Sequence, residues 1–94
     1  MLQAKFMHYV YVLHSEKDKK LYTGYTNNIK RRFEEHKTGK VESTKNRRPL
    51  KLIYYEAYIE KTDAQNREVF LKSGSGKNFL KKQLKIYFEK NSSI

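Results

Sequence analysis

The sequence predicts a small α/β fold of the α+β kind. A three-stranded antiparallel β-sheet is flanked by helices in the order β-β-α-β-α-α, with all 94 residues in one domain. Three observations predict it. Two aromatic-rich, strand-like runs, Tyr9 to Leu13 and Leu21 to Thr26, are separated by a short polar turn. A third such run, Leu50 to Ile59, follows a basic loop. Helical spacing of apolar residues recurs after the second run and again after the third. A small sheet with helices packed on it buries these faces together.

In chain order, Phe6 to Leu13 is almost continuously apolar, aromatic or β-branched, which suits a central strand. Alternation puts Tyr9, Tyr11 and Leu13 on one face and Val10 and Val12 on the other. Ser15 to Lys20 is a charged turn, and the strand returning from Leu21 carries Tyr22, Gly24 and Thr26 on one face. Gly24 marks either a simple strand end, or a bulge or close approach to the backbone. Asn27 or Asn28 caps the next helix. Ile29, Arg32, Phe33 and His36 form its inward stripe, with Lys30, Arg31, Glu34 and Glu35 outside. Because an unpaired buried charge is costly, Arg32 either snorkels at a sheet edge or faces a polar cleft. His36 is either a structural histidine or part of that cleft.

Thr38 to Pro49 reads as a loop that Gly39 opens as a helix C-cap. Lys40, Lys45, Arg47 and Arg48 make it a mobile basic arm, either solvated or a grip on a phosphate backbone. After the third strand, Thr62 to Gln65 fits a capping box opening a helix to about Ser73. Ala64, Arg67, Glu68 and Leu71 share its inward stripe, so a carboxylate sits where core is expected. The run Ser73-Gly74-Ser75-Gly76 breaks that helix. A last helix, about Lys77 to Glu89, gathers Phe79, Leu80, Leu84, Ile86 and Tyr87 on one side, and residues 90–94 form a loose tail.

Charge narrows the function. Lys+Arg number 21 against 10 Asp+Glu, a net charge of +11 that favours a polyanion, nucleic acid above all. A membrane surface is disfavoured, because no basic helix backs onto an uninterrupted apolar face with Trp anchors. No apolar run approaches the ~18 residues of a membrane span, and the N-terminus lacks a signal-peptide pattern. The absence of Cys excludes disulfides, zinc knuckles and thiolate nucleophiles, and suits the reducing cytoplasm.

Arg32 and Glu68 each place a charge on an inward stripe, while Tyr11 and Tyr22 come from adjacent strands. A cation, a carboxylate and two phenols that can converge on one cleft make a candidate active site. One Glu without a His/Cys/Asp cluster excludes a zinc cage. It suits Mg²⁺, which keeps several waters and needs only one or two carboxylates beside substrate phosphate oxygens.

Tyr9-Val10-Tyr11 and Tyr22-Thr23-Gly24 resemble the two signature tripeptides of the GIY-YIG endonuclease domain, and the 11 positions from Tyr11 to Tyr22 suit that family. Arg32 and His36 match its helix motif after the second tripeptide, and Arg67-Glu68 resembles its Arg-Glu pair on a later helix. The likeness spans nearly the whole chain and is greatest to the small stand-alone members. Tyr9 stands where the family name has Gly and Thr23 where it has Ile, positions that do not carry the chemistry in family members.

The resemblance implies a metal-dependent endonuclease that hydrolyses phosphodiester bonds, with DNA favoured over RNA as the substrate. Glu68 would hold one Mg²⁺ or Mn²⁺ ion per site. Arg32 would neutralise charge on the phosphoryl oxygens. Tyr11 would activate or position water, Tyr22 would hydrogen-bond the phosphate or the water, and His36 would be a helper base or orienting donor. Gly24, Lys40, Lys45, Arg47 and Arg48 would contact nucleic acid. Free Tyr, with a pKa near ~10, is phenolate only about one part in a thousand at pH 7. Lowering it by three units needs roughly 4 kcal/mol, so either Tyr11 or His36 is the base.

Larger members attach this domain to DNA-recognition domains. This chain carries none, so an accessory protein would supply further specificity. The expected targets are branched, flapped or single-stranded structures in DNA repair or processing, because phosphate contacts carry no sequence information. Two other classes are weighed: a non-cleaving nucleic-acid-binding module, and a structural partner in which Glu68 pairs with Arg32. Tyr9, Tyr25 and Tyr54 either stack on unpaired bases or belong to the core.

Overall fold

The computed structural model describes residues 7–91. Its sheet has three antiparallel strands, β1 (His8–Ser15), β2 (Leu21–Thr26) and β3 (Leu50–Tyr58), in the order β2-β1-β3. The predicted first strand is thus central; its proposed start, Phe6, lies outside the described residues. Period-2 alternation holds along β1. Val10 and Val12 pack with Ala64, Leu71 and Leu80, whereas Tyr11 and Leu13 pack with Leu50 and the flanking Tyr22, Ile29, Phe33 and Leu52. Tyr25 and Tyr54 join the first of these clusters, so both belong to the core. The Tyr9 ring meets Tyr55 edge-on.

Helix α1 (Ile29–Lys37) begins where the Asn28 side chain accepts a hydrogen bond from the Arg31 N–H, and ends at Thr38 with Gly39 at φ +82 beyond it. Helices α2 (Lys61–Lys72) and α3 (Gly74–Gln83) cover the opposite face. The capping box expected at Thr62–Gln65 does not form. Glu60 is the N-cap, without a side-chain cap bond, and Thr62 lies inside the first turn. A cap is worth only about 1 kcal/mol, less than docking Ala64 and Leu71 in the core.

Ser73-Gly74-Ser75-Gly76 does separate two helices, but it also starts the second. The Ser73 hydroxyl accepts from the Gly76 N–H at 3.1 Å and caps α3. At Gly76 α3 lies against α2 so closely that a Cβ would stand 2.0 Å from the Phe70 carbonyl oxygen.

The last helix, expected to run unbroken from Lys77 to Glu89, is two: α3, and α4 (Lys85–Lys90) after a break at Leu84 (φ −111, ψ 36). The break turns Tyr87 and Phe88 towards the end of β1, where the Tyr87 hydroxyl and His14 Nδ1 are 2.5 Å apart. Ile86, expected on the core side, is exposed. The residues of the expected tail beyond Asn91 lie outside the described residues.

The segment expected as a mobile arm is instead fastened to the fold. It carries a 3-10 turn at Lys45–Arg47, and Val41 and Thr44 are buried. The Ser15 hydroxyl donates to the Arg47 carbonyl (2.6 Å), the Glu16 N–H donates to Pro49 (2.9 Å), and the Arg47 guanidinium grips Asp18 (2.6 Å). Buried backbone polar groups need such partners, and these tie the segment to the β1–β2 turn.

Candidate active site

Antiparallel pairing sets Tyr11 opposite Gly24. Of the readings open at Gly24, the bulge lies elsewhere, between Val12 and Leu13 on the β3 side, and the close approach is the one met. What approaches Gly24 is the Tyr11 ring: a Cβ there would meet the phenol oxygen at 2.4 Å. Glycine therefore leaves room for Tyr11 to lie across β2 towards α1.

There the Tyr11 hydroxyl and His36 Nε2 are 2.7 Å apart, and His36 Nδ1 is 2.7 Å from the Thr44 hydroxyl. All three residues are buried. The Tyr22 ring completes the group, its centroid 5.2 Å from His36 and 6.4 Å from Tyr11. Burial, and then the Arg32 charge, lower the His36 pKa to about 4. Burial pushes the Tyr11 phenol up to about 12, against the pull of Arg32. At pH 7 both are neutral, and a neutral imidazole has one donor and one acceptor.

Arg32 lies against the Tyr11 phenol, which with Glu35 raises its pKa and keeps it charged. Its guanidinium bonds Glu35 at 3.0 Å and stays partly exposed. Glu68, on α2, is close enough for its charge to act on Tyr11, and its carboxylate pairs with Lys72 at 2.9 Å. The structural Arg32–Glu68 ion pair is thus absent, each residue having its own neighbour on its own helix.

Arg67, next to Glu68, has a different task. Its guanidinium bonds both Glu56 oxygens (2.8 and 3.1 Å) and lies over the rings of Phe70 and Phe79. Burial of Glu56 opposes ionisation, but hydrogen bonds from Arg67, Tyr54 and Tyr58 hold its carboxyl below the usual range. This clamp fastens α2 to β3 and so sets the turn of helix from which Glu68 projects.

Among the described residues no three His, Cys, Asp or Glu side chains gather as a cage. The donor set is one carboxylate, Glu68, beside phenol oxygens. That suits a hard divalent cation that keeps its waters and shares substrate oxygens. Lys72 is an exposed i,i+4 partner, worth little and easily displaced.

Of the residues expected to grip nucleic acid, Gly24 faces Tyr11, Lys45 pairs with Glu42 (2.8 Å), Arg47 holds Asp18, and Arg48 donates to the Lys45 carbonyl (2.9 Å). Lys40 is exposed. Sequence reasoning missed Thr44, hidden in a stretch that reads as solvated loop, and Lys72 and Lys77, which line a depression with Tyr22. No periodicity marks a threonine in a loop. The lysines show the signal only once α2 and α3 are seen to flank β2.

Residues 7–83 match the GIY-YIG catalytic domain. A UPF0213 protein of Clostridium perfringens is 45% identical over 67 residues, which cover 70% of this chain and 71% of that one. Another, of Staphylococcus haemolyticus, is 44% identical over 75 residues, covering 79% and 90%. The solution NMR structure of a UPF0213 protein of Bacillus halodurans aligns with a TM-score of 0.50 at 36% identity, covering 79% of this chain and 81% of that one. A catalytic-domain match over most of the chain, with relatives and a solved fold of the same kind, places it: the chain belongs to the GIY-YIG family of nuclease domains.

Proposed function

We propose that this chain is a divalent-metal-dependent endonuclease that hydrolyses phosphodiester bonds in DNA at branched, flapped or single-stranded sites, in DNA repair or processing. The observation that carries this reading is the buried Tyr11–His36–Thr44 chain of hydrogen bonds opening on Tyr22, Arg32 and Glu68. Binding alone needs no relay of this kind.

The protonation states suggest how two candidate bases act as one. A phenol raised to about 12 does not ionise by itself at neutral pH. Neutral His36, with Nδ1–H donated to Thr44, offers Nε2 to the Tyr11 hydroxyl. As water attacks phosphorus, its proton passes to the Tyr11 oxygen while the Tyr11 proton passes to His36 Nε2. The P–O bond to the leaving oxygen breaks, that oxygen takes a proton from solvent, and His36 then returns its proton to solvent. The phosphate charge offsets Arg32 at His36 and so eases the transfer. Arg32 stabilises the charge that builds on the phosphoryl oxygens, and Tyr22 positions phosphate or water. Glu68 would hold Mg²⁺ or Mn²⁺, which when bound supplies charge stabilisation at the phosphate. A cysteine-free chain suits the cytoplasm, and a partner protein would add specificity that phosphate contacts lack.

The test is cleavage of labelled single-stranded, duplex, flap and four-way-junction DNA, with RNA counterparts, in Mg²⁺ or Mn²⁺. Cleavage that disappears in Glu68→Ala and in EDTA is expected. Tight binding by both proteins with no cleavage of any substrate would leave a non-catalytic binding module instead.

A further inference from the structure

Two depressions meet at Leu21 and Lys77. The smaller, about 210 Å³, is lined by Leu21, Tyr22, Thr23, Leu71, Lys72 and Lys77, so it borders the candidate site through Tyr22. The larger, about 750 Å³, continues from it past the β1–β2 turn, with Lys19 and Lys20 from the turn and Lys77 and Lys81 from α3. We infer that this continuous groove is a track for a phosphodiester backbone, held by Lys77, Lys81, Lys19 and Lys20 to one side of the scissile phosphate. The position of the cut rests on the nuclease reading above; the binding does not.

Three features favour the groove. It is continuous with the site through shared lining residues. Its lysines are uncommitted: none of Lys19, Lys20, Lys77 and Lys81 pairs with a carboxylate among the described residues. Its acidic lining residue, Asp18, is neutralised by Arg47, whose hydrogen bond holds the carboxyl well below the usual range. Lysine serves such a path well, because a flexible point charge follows phosphates without demanding one orientation.

A third depression, about 450 Å³, is also basic, with Lys17, Lys37, Lys45 and Arg48. It shares no lining residue with the depression at Tyr22, and its Lys37 and Lys45 pair with Glu34 and Glu42. It is the weaker candidate.

The experiment is fluorescence anisotropy of labelled single-stranded DNA, duplex DNA and single-stranded RNA in EDTA, over a series of salt concentrations. Wild type is compared with Lys77→Ala/Lys81→Ala and with the charge-matched Lys30→Ala/Lys82→Ala; all four lysines are exposed. The groove variant is expected to bind more weakly, its log–log salt slope smaller by about 1.4 for a single strand or about 1.8 for duplex. The matched control keeps the wild-type slope. A loss confined to DNA or to RNA assigns the track to that backbone. Equal losses in both variants, or no loss in the groove variant, would overturn the track and leave the nuclease reading standing. Wild type that binds no nucleic acid at low salt would overturn both.

Discussion

Thr44 is the residue on which the proposed chemistry turns most quietly. Its hydroxyl is the partner of His36 Nδ1, which leaves Nε2 for Tyr11. Thr44→Val keeps the shape but leaves a buried ring nitrogen unpaired, which costs about 1–3 kcal/mol. It also frees the tautomer, and turnover is expected to fall by about tenfold or more, part of what a positioned base contributes. Thr44→Ser restores the hydroxyl and should recover both. Thermal melts, kcat against KM and the ¹⁵N shifts of His36 separate the possibilities. A valine variant with full stability, wild-type kcat and an unchanged imidazole tautomer would remove Thr44 from the relay.

At the scale of elements, the site depends on how closely α2 and α3 pack. The Cβ of Gly76→Ala would stand 2.0 Å from the Phe70 carbonyl oxygen and 2.5 Å from the Leu71 Cα. These are backbone atoms and cannot rotate aside, so α3 must move off α2. A loss of about 3 kcal/mol is expected, at the upper end for overpacking, read as a lower urea midpoint at unchanged m-value. The shift also carries Lys77 and Lys81 away from the β1–β2 turn, so nucleic-acid binding should weaken with it. Wild-type stability for this variant would mean that the helices close less tightly than the geometry shows.

For the whole molecule, the buried pair sets a pH window. The folded His36 titrates at about 4 against an ordinary 6.5. As pH falls, the unfolded chain therefore takes up this proton first. The stability due to the neutral imidazole is complete above pH 6.5, declines towards pH 4 and is gone below it, a total on the order of 3 kcal/mol. Tyr11, raised from 10 to about 12, has the opposite sign: its share is complete below pH 10 and is lost as pH rises to 12. Urea midpoints from pH 4 to 8, beside an NMR titration of the His36 ring, check the acid edge. A ring that protonates near 6.5 in the folded protein would abolish that slope.

Much of this was legible in the chain itself. Period-2 alternation from Tyr9 to Leu13 and the helical stripe Ile29, Arg32, Phe33, His36 are local signals, and both faces of β1 and the covering by α1 follow them. So do the candidates, because a charge on an inward stripe is visible without coordinates. The tertiary structure decided what lies far apart in sequence: that Tyr11 lies over Gly24, that Thr44 reaches His36 from a supposed loop, and that Lys77 faces the β1–β2 turn. It also overrode weak local preferences at Thr62 and Leu84, where the burial of Leu71 and Leu80 and the docking of Tyr87 outweigh a cap or an unbroken helix. Periodicity encodes which side of an element is apolar; it does not encode which distant polar group completes a buried hydrogen bond. That choice is made only when the chain closes and each buried donor must find an acceptor.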